Sequence, residues 1–159
     1  MSELTAYHEA GHAWMAVLTG ARVLSITIEP DRDDGTPRYG DTEVAWQRAE
    51  HSDREHVENG ILVSLAGPAA EMTYVGERLH PGFVAEWSQD WSAAWAEAAQ
   101  LHPSEANRMR YLEQQVASLC DLLGKTNHWA AIAEIADLLL AHDRLEADDV
   151  AECVQRWLG

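Results

Sequence analysis

Apolar residues recur every three or four positions from Ser2 to Leu18. This spacing predicts a helix with one apolar face. Ser2 is a suitable N-cap for it, and Gly20 is a suitable stop. The chain is therefore expected to begin its folded part with a helix, and any polar group within these residues is expected to lie on a helical surface.

Polar and apolar residues then alternate from Val23 to Glu29. A period of two predicts a strand, and it groups the following residues on one face: Leu24, Ile26 and Ile28. The pair Asp34-Gly35 is a turn signal, and a second extended run follows from Gly40 to Trp46. We expect these two runs to form a small antiparallel sheet.

Helical spacing returns from Val57 to Met72, although Pro68 within it is expected to kink or restart the helix. A loop rich in Gly and Pro follows from Gly76 to Phe83. Further helices are then predicted to begin at Ser88, at Ser104, at about His128 and shortly after Asp148. The expected fold class is α+β, mostly α-helical, with a small antiparallel sheet and a C-terminal helical bundle. No linker divides the chain, so we expect a single domain over residues 1–159.

Composition narrows the classes of partner. The chain has 27 acidic and 11 basic residues and a formal net charge of −16. An anionic surface repels phosphate backbones and anionic lipid headgroups, so neither nucleic acid nor a membrane surface is expected as a partner. Cys120 and Cys153 form no CxxC pattern and lie in apolar stretches, which predicts buried thiols and a reducing, cytoplasmic location.

The string Tyr7 to His12, "YHEAGH", contains the pattern H-E-x-x-H. On a helix, residues four apart point to nearly the same side, so His8 and His12 can offer two imidazoles to one ion. Catalytic zinc takes three protein ligands and a water, whose pKa it lowers, and Glu9 is placed to act on that water as general base. The pattern predicts a Zn²⁺ site in a metallopeptidase, with a helix whose histidines are merely exposed or buried as the alternative.

Four blocks of the sequence resemble the peptidase domain of the FtsH family of ATP-dependent zinc metalloproteases. These blocks are "AYHEAGHA", "ILVSLAGPAAEMTYVGE" from Ile61 to Glu77, Ser88-Gln89-Asp90, and "ADLLLAHDRLEADDV" from Ala136 to Val150. The resemblance implies a stand-alone FtsH-like zinc metallopeptidase domain. It also implies that Asp90, in its Ser-x-Asp context, is the third zinc ligand beside His8 and His12. Glu71 remains an alternative, because its spacing suits another class of zinc peptidase and zinc accepts either carboxylate. We favour Asp90.

The chain departs from a full FtsH-family protein, which carries a membrane segment and an ATPase module before the peptidase. Gly124-Lys125-Thr126 imitates the end of a phosphate loop, but Leu119 stands where the pattern needs glycine, so we predict a turn between helices. The expected substrates are therefore short peptides or unfolded protein chains, unless a separate ATPase partner unfolds the substrate. FtsH-family peptidase domains pack as six-membered rings, so the resemblance also suggests a homo-oligomer.

Two further features carry weaker predictions. The run from Gly40 to Trp46 matches the family strand that lies along the cleft, and an exposed strand edge can bind an extended peptide, although an ordinary hairpin strand explains the run equally well. The tryptophans Trp87, Trp91 and Trp95 are expected in the core or a subunit contact. The remaining histidines show no ligand spacing and are expected at the surface, and His80 alone, in the loop before Asp90, is placed to approach the site. The alternative to an enzyme is a non-catalytic protein-interaction module that keeps the fold and the metal. Glu9 argues against this alternative, because a structural zinc needs no base.

Overall fold

The structure is a computed structural model, and it describes residues 3–28, 41–46 and 52–159. In chain order the elements are α1 Glu3–Leu18, β1 Arg22–Thr27, β2 Asp41–Ala45, α2 Asp53–Val75, α3 Ser88–Ala98, α4 Glu105–Leu123, α5 Thr126–His142, β3 Arg144–Glu146 and α6 Ala147–Leu158. Two short 3₁₀ helices, Pro81–Phe83 and Ala85–Trp87, precede α3. The predicted fold class, mostly helical α+β with a small antiparallel sheet, is confirmed.

Helices α1 and α2 cross at the centre of the molecule. Gly11 makes this crossing close, because a Cβ added there would lie 2.7 Å from the Cβ of Ala70 and closer still to the carbonyl oxygen of Ala66. Trp14 of α1 and Ile61 of α2 are fully buried. Helix α1 therefore lies between α2 and α5, and the close approach at Gly11 fixes the distance between the α1 and α2 backbones.

Pro68 lies inside α2, where we expected it to kink or restart the helix, and the restart is contradicted. The helix is continuous from a capping box at Ser52 and Glu55 to a left-handed cap at Gly76. Proline removes one backbone donor, but Pro68 is buried at the level of the α1 contact, where packing favours the continuous helix. Helix α4 ends at Leu123 with Gly124 as its C-cap, and α5 begins at Thr126, which confirms the predicted turn in place of a phosphate loop.

The sheet has three antiparallel strands in the order β2-β1-β3, so β2 is an edge strand of the sheet within the described residues. Strand β3 was not predicted, since it is only three residues long and follows a helix directly. The predicted turn at Asp34-Gly35, together with Gly40 and Glu29, lies outside the described residues.

The predicted face of β1 was wrong at one residue. Leu24 is 42% exposed, whereas Val23 and Ile26 are buried. The pairing of β1 with β2 shifts by one residue between Val23 and Ser25, which is a β-bulge at Leu24. Since a bulge inserts an extra residue, Val23 and Ile26 share a face although they are three residues apart.

Cys120 and Cys153 are buried and free, as their apolar surroundings predicted. No helix within the described part of the chain is long and apolar enough to cross a membrane.

Candidate metal centre

His8, Glu9 and His12 lie in the first three turns of α1, and the two histidines contact α2. The side chains of His8 and His12 are only 15% and 12% exposed, and Glu9 is 7% exposed. Carboxylates are seldom buried without a partner, so the burial of Glu9 marks an unusual environment. The helical spacing predicted from the sequence brings the two imidazoles together, with their ring centroids 4.7 Å apart.

Asp90 approaches the two histidines from the first turn of α3. Its Oδ2 lies 2.8 Å from Nε2 of His8 and 3.4 Å from Nε2 of His12. In this group each residue offers one ligand atom, and the three atoms lie within 4.8 Å of one another. The three residues that the sequence proposed as ligands therefore converge on one point.

The hydrogen-bond partners of the two Nδ1 atoms determine which nitrogen of each imidazole carries the hydrogen. Nδ1 of His12 is 2.6 Å from the carbonyl oxygen of Val63, which can only accept a hydrogen bond, so this nitrogen donates. Nδ1 of His8 is 2.9 Å from Oε2 of Glu71 and donates in the same way. In the neutral rings both Nε2 atoms are then lone-pair donors, and they lie 3.0 Å apart with the Asp90 carboxylate beside them. Two lone pairs and a carboxylate that face each other attract a positive charge. Either a metal ion or a proton can supply it.

The pKa values of these three residues are shifted in the directions that such an arrangement favours. Burial lowers the pKa of His8, but the hydrogen bonds to Asp90 and Glu71 and the charges of Asp90 and Glu9 outweigh it and raise it to about 10. Burial also lowers the pKa of His12, which hydrogen bonding to Asp90 raises above its ordinary value. Burial would raise the pKa of Asp90, yet the two imidazoles hold it far below its usual range. In the absence of a metal ion, the surrounding carboxylates thus favour the protonated form of each imidazole.

Glu71, the alternative ligand, lies on the other side of His8. Its Oε2 accepts hydrogen bonds from Nδ1 of His8 and from the indole Nε1 of Trp87. The ligand group found among the described residues contains Asp90 and does not contain Glu71. Glu71 therefore contacts Nδ1 of His8, the ring nitrogen that does not face the other candidate ligands. Carboxylates commonly orient metal-binding histidines in this way. Trp87 was not predicted as a site residue, because nothing in its spacing links it to Glu71.

Gly67 of α2 leaves the space in which the two imidazoles meet. A Cβ at this position would lie 2.8 Å from Nε2 of His8 and closer still to Nε2 and Cε1 of His12. Real Cβ atoms do not approach other atoms so closely, so only glycine fits here without moving a histidine. The donor set and this space together fit a single small cation at the Nε2 atoms.

Glu9 has a partner on the edge strand. The hydroxyl of Thr42 in β2 donates to Oε2 of Glu9 over 2.5 Å. The sequence did not single out Thr42, since neither local spacing nor residue type connects it to α1. This contact joins the sheet to the residue that the motif proposed as general base.

The other residues considered from the sequence lie elsewhere. His80 contacts Glu113, with Nε2 3.2 Å from its Oε2, and its ring packs on Phe83 and Trp91. Trp91 and Trp95 contact each other with centroids 6.2 Å apart, while Trp87 is buried and bonded to Glu71. His80 is not in the described ligand group, so the group consists of the three residues named above.

Comparison with known families supports the chemistry of this site. Residues 4–68 match the model of a family described as Peptidase M50B-like. The matched segment carries His8, Glu9 and His12 and ends before Asp90, and it covers less than half of the chain. The match relates the chain to metallopeptidases and supports a metallopeptidase-type function, without distinguishing the FtsH type. A search of curated proteins gave no match.

Proposed function

We propose that the protein is a zinc-dependent metallopeptidase of the FtsH-like type that hydrolyses peptide bonds in short peptides or unfolded chains. The observation that carries this proposal is the convergence of Nε2 of His8, Nε2 of His12 and a carboxylate oxygen of Asp90, with Glu9 next to them on α1. The Peptidase M50B-like match over the same helix is independent support for a metallopeptidase.

His8, His12 and Asp90 would hold the ion. Two imidazole nitrogens and one carboxylate oxygen are a ligand set used by catalytic zinc, which leaves a fourth position open. When bound, zinc would supply Lewis acidity, which lowers the pKa of a water and polarises a carbonyl. Glu71 and Trp87 would act through His8: the carboxylate holds Nδ1 and so directs Nε2 at the ion, and the indole holds the carboxylate.

Glu9 would carry the proton. Its Oε2 is occupied by the hydroxyl of Thr42, so Oε1 is the oxygen proposed to take a proton from the attacking water and to pass it to the leaving amine nitrogen. Burial favours this role, because a carboxylate with little water around it transfers its proton to the nearest available base rather than to solvent.

The proposed substrate follows from strand β2. An edge strand can add an extended peptide as a further strand, and Thr42 joins β2 directly to Glu9. A folded protein offers few extended segments, so short peptides and unfolded chains are the proposed substrates. A separate ATPase that unfolds larger substrates, assembly of several copies and a cytoplasmic location complete the proposal, and they rest on the FtsH resemblance and the cysteine usage.

Metal content tests the ligand assignment. We expect close to one zinc per chain by elemental analysis, and its loss in the variants His8→Ala, His12→Ala and Asp90→Ala. Glu71→Gln keeps a hydrogen-bond acceptor for His8 and is the matched control, for which we expect bound zinc with affinity reduced at most ~10–100-fold, as for other outer partners of metal ligands. Full zinc in Asp90→Ala together with none in Glu71→Gln would show that the carboxylate ligand is Glu71.

Turnover separates the enzyme from a protein-interaction module. Replacing a general base costs ~10²–10⁴ in rate while ground-state contacts remain. We expect Glu9→Gln to keep its zinc and its fold and to lose hydrolysis of casein or of a peptide library, which zinc-loaded wild type cleaves. A zinc-loaded wild type that cleaves nothing in that library would reject the peptidase and leave the interaction module.

A further inference from the structure

Thr42 is the point at which the sheet contacts the candidate base. Its hydroxyl donates to Oε2 of Glu9 over 2.5 Å, and Glu9 is 7% exposed. A buried carboxylate with one oxygen held by a fixed donor cannot rotate freely, because rotation would break a charge-assisted hydrogen bond in a site with little water. The contact therefore restricts the orientation of Glu9.

The β-bulge at Leu24 decides which residue of β1 lies opposite Thr42. Ile26 is fully buried and pairs with Thr42, so their side chains lie on the same face of the sheet. Val23 is also buried on this face and pairs with Val44. Without the extra residue, regular pairing from Val23 onward would place Thr42 opposite Ser25. The bulge therefore puts the fully buried Ile26 opposite Thr42, while the alternation along β2 puts Thr42 on the same face as Val44.

We propose that Thr42 is a positioning residue for Glu9, an inference that rests on the proposed peptidase function. Its hydroxyl holds Oε2, which restricts rotation of the carboxylate and leaves Oε1 as the oxygen that would act on the water. Because Thr42 belongs to the edge strand proposed to pair with the substrate, the same strand sets the position of the peptide and the orientation of the base. Main-chain pairing of a peptide with β2 would not depend on this hydroxyl.

The first test compares Thr42→Val, which removes the hydroxyl at nearly constant shape, with Thr42→Ser, which keeps it. For zinc-loaded Thr42→Val we expect kcat for peptide hydrolysis to fall by about tenfold to a hundredfold with KM and zinc content nearly unchanged, since misplacing a catalytic group lowers the chemical step. Thr42→Ser should recover most of kcat. The matched control is Thr73→Val, whose hydroxyl bonds only the Ala69 carbonyl of its own helix in the contacts found, and it should keep the wild-type kcat.

The second test measures the contact without any turnover. In zinc-free protein, Thr42→Val should lower the equilibrium constant for folding about tenfold or more, as expected for a hydrogen bond to a charged group. With Glu9→Leu already present, the same replacement should have little effect, and a parallel cycle with Glu9→Ala covers a leucine variant that fails to fold. Urea unfolding gives the four constants of each cycle.

The outcomes separate this proposal from the peptidase function. Two results with an active wild type would overturn the positioning role alone. One is an unchanged kcat in Thr42→Val, and the other is a kcat in Thr42→Ser that is as low as in Thr42→Val. Equal effects of Thr42→Val with and without Glu9 would overturn the contact itself. A zinc-loaded wild type without activity would overturn the peptidase function, and the catalytic role of Thr42 with it.

Discussion

Position 67 shows how much the candidate site depends on a single missing side chain. Gly67 faces the Nε2 atoms of His8 and His12 from α2, and any larger residue would enter the space between them. Glycine in a helix interior costs roughly 0.5–1 kcal/mol relative to alanine. Its presence in the middle of α2 is explained by the space that the two imidazoles need.

Gly67→Ala is expected to lower zinc affinity at least tenfold, because His12 must rotate out of the position in which its Nε2 meets that of His8. Isothermal titration with zinc, after removal of bound metal, measures this change. Gly60→Ala is the matched control on the same helix: its added Cβ meets the carboxylate end of Glu97, a flexible side chain that can move aside. If both variants bind zinc as tightly as wild type, Gly67 does not determine the space at the ligands.

At the scale of elements, the packing distance between α1 and α2 determines the geometry of the candidate ligands. The two helices approach closely at Gly11, and one turn away Nδ1 of His12 donates to the carbonyl of Val63 in α2. The same crossing brings Glu71 of α2 to His8. Helix packing and imidazole orientation are therefore parts of one arrangement, and a change in the packing distance should alter both.

Gly11→Ala tests this link. The added Cβ meets backbone at Ala66 and the side chain of Ala70, neither of which can move aside without separating the helices. We expect the free energy of unfolding to fall by about 1–3 kcal/mol, as for other overpacked interiors, and zinc affinity to fall with it. Urea unfolding and zinc titration measure the two effects, with Gly60→Ala again as control. A variant that is destabilised but binds zinc normally would show that packing and ligand geometry are independent.

At the scale of the whole molecule, the candidate ligands connect parts of the chain that are distant in sequence. His8 and His12 come from α1, while Asp90 comes from α3, beyond the sheet and the whole of α2. A ligand that binds only the folded form stabilises it by mass action. Zinc at this point should therefore hold α3 against α1.

The stabilisation by zinc should depend on pH. In zinc-free protein the pKa of His8 is raised to about 10 and that of His12 is also raised, so their protons stabilise the metal-free fold fully below about pH 6.5. This stabilisation is lost as pH rises through about 10, and the same protons compete with zinc. The melting temperature difference between zinc-loaded and chelated protein should therefore grow from pH 6 to pH 9.

With zinc at about a hundred times its Kd near pH 8, the expected difference is roughly 5–10 °C. Differential scanning calorimetry of both forms across this pH range measures it, and His12→Ala controls for zinc held by the acidic surface. Equal melting temperatures after verified zinc removal would mean that the ion does not connect α1 to α3.

The amino-acid sequence by itself determined the features that depend on near neighbours in the chain. The spacing of His8 and His12 on a helix and the turn at Gly124 follow from local backbone geometry, and the start of α4 follows from the cap at Ser104. The start of α3 lies at the predicted Ser88, although no side chain caps it. Resemblance added Asp90, which spacing alone could not distinguish from Glu71. For these features the information lies within a few residues, and tertiary packing did not alter it.

Only the tertiary structure decided the contacts between elements. It put Glu71 and Trp87 behind His8, brought Thr42 to Glu9, and kept α2 continuous through Pro68. The bulge at Leu24 has no local signal, because a regular strand and a bulged strand satisfy the same alternation until a partner strand sets the register. Strand β3 likewise exists because β1 presents an open edge to it. Each of these depends on which surfaces meet when helices and strands pack, and that is a property of the whole chain and not of any short stretch of it.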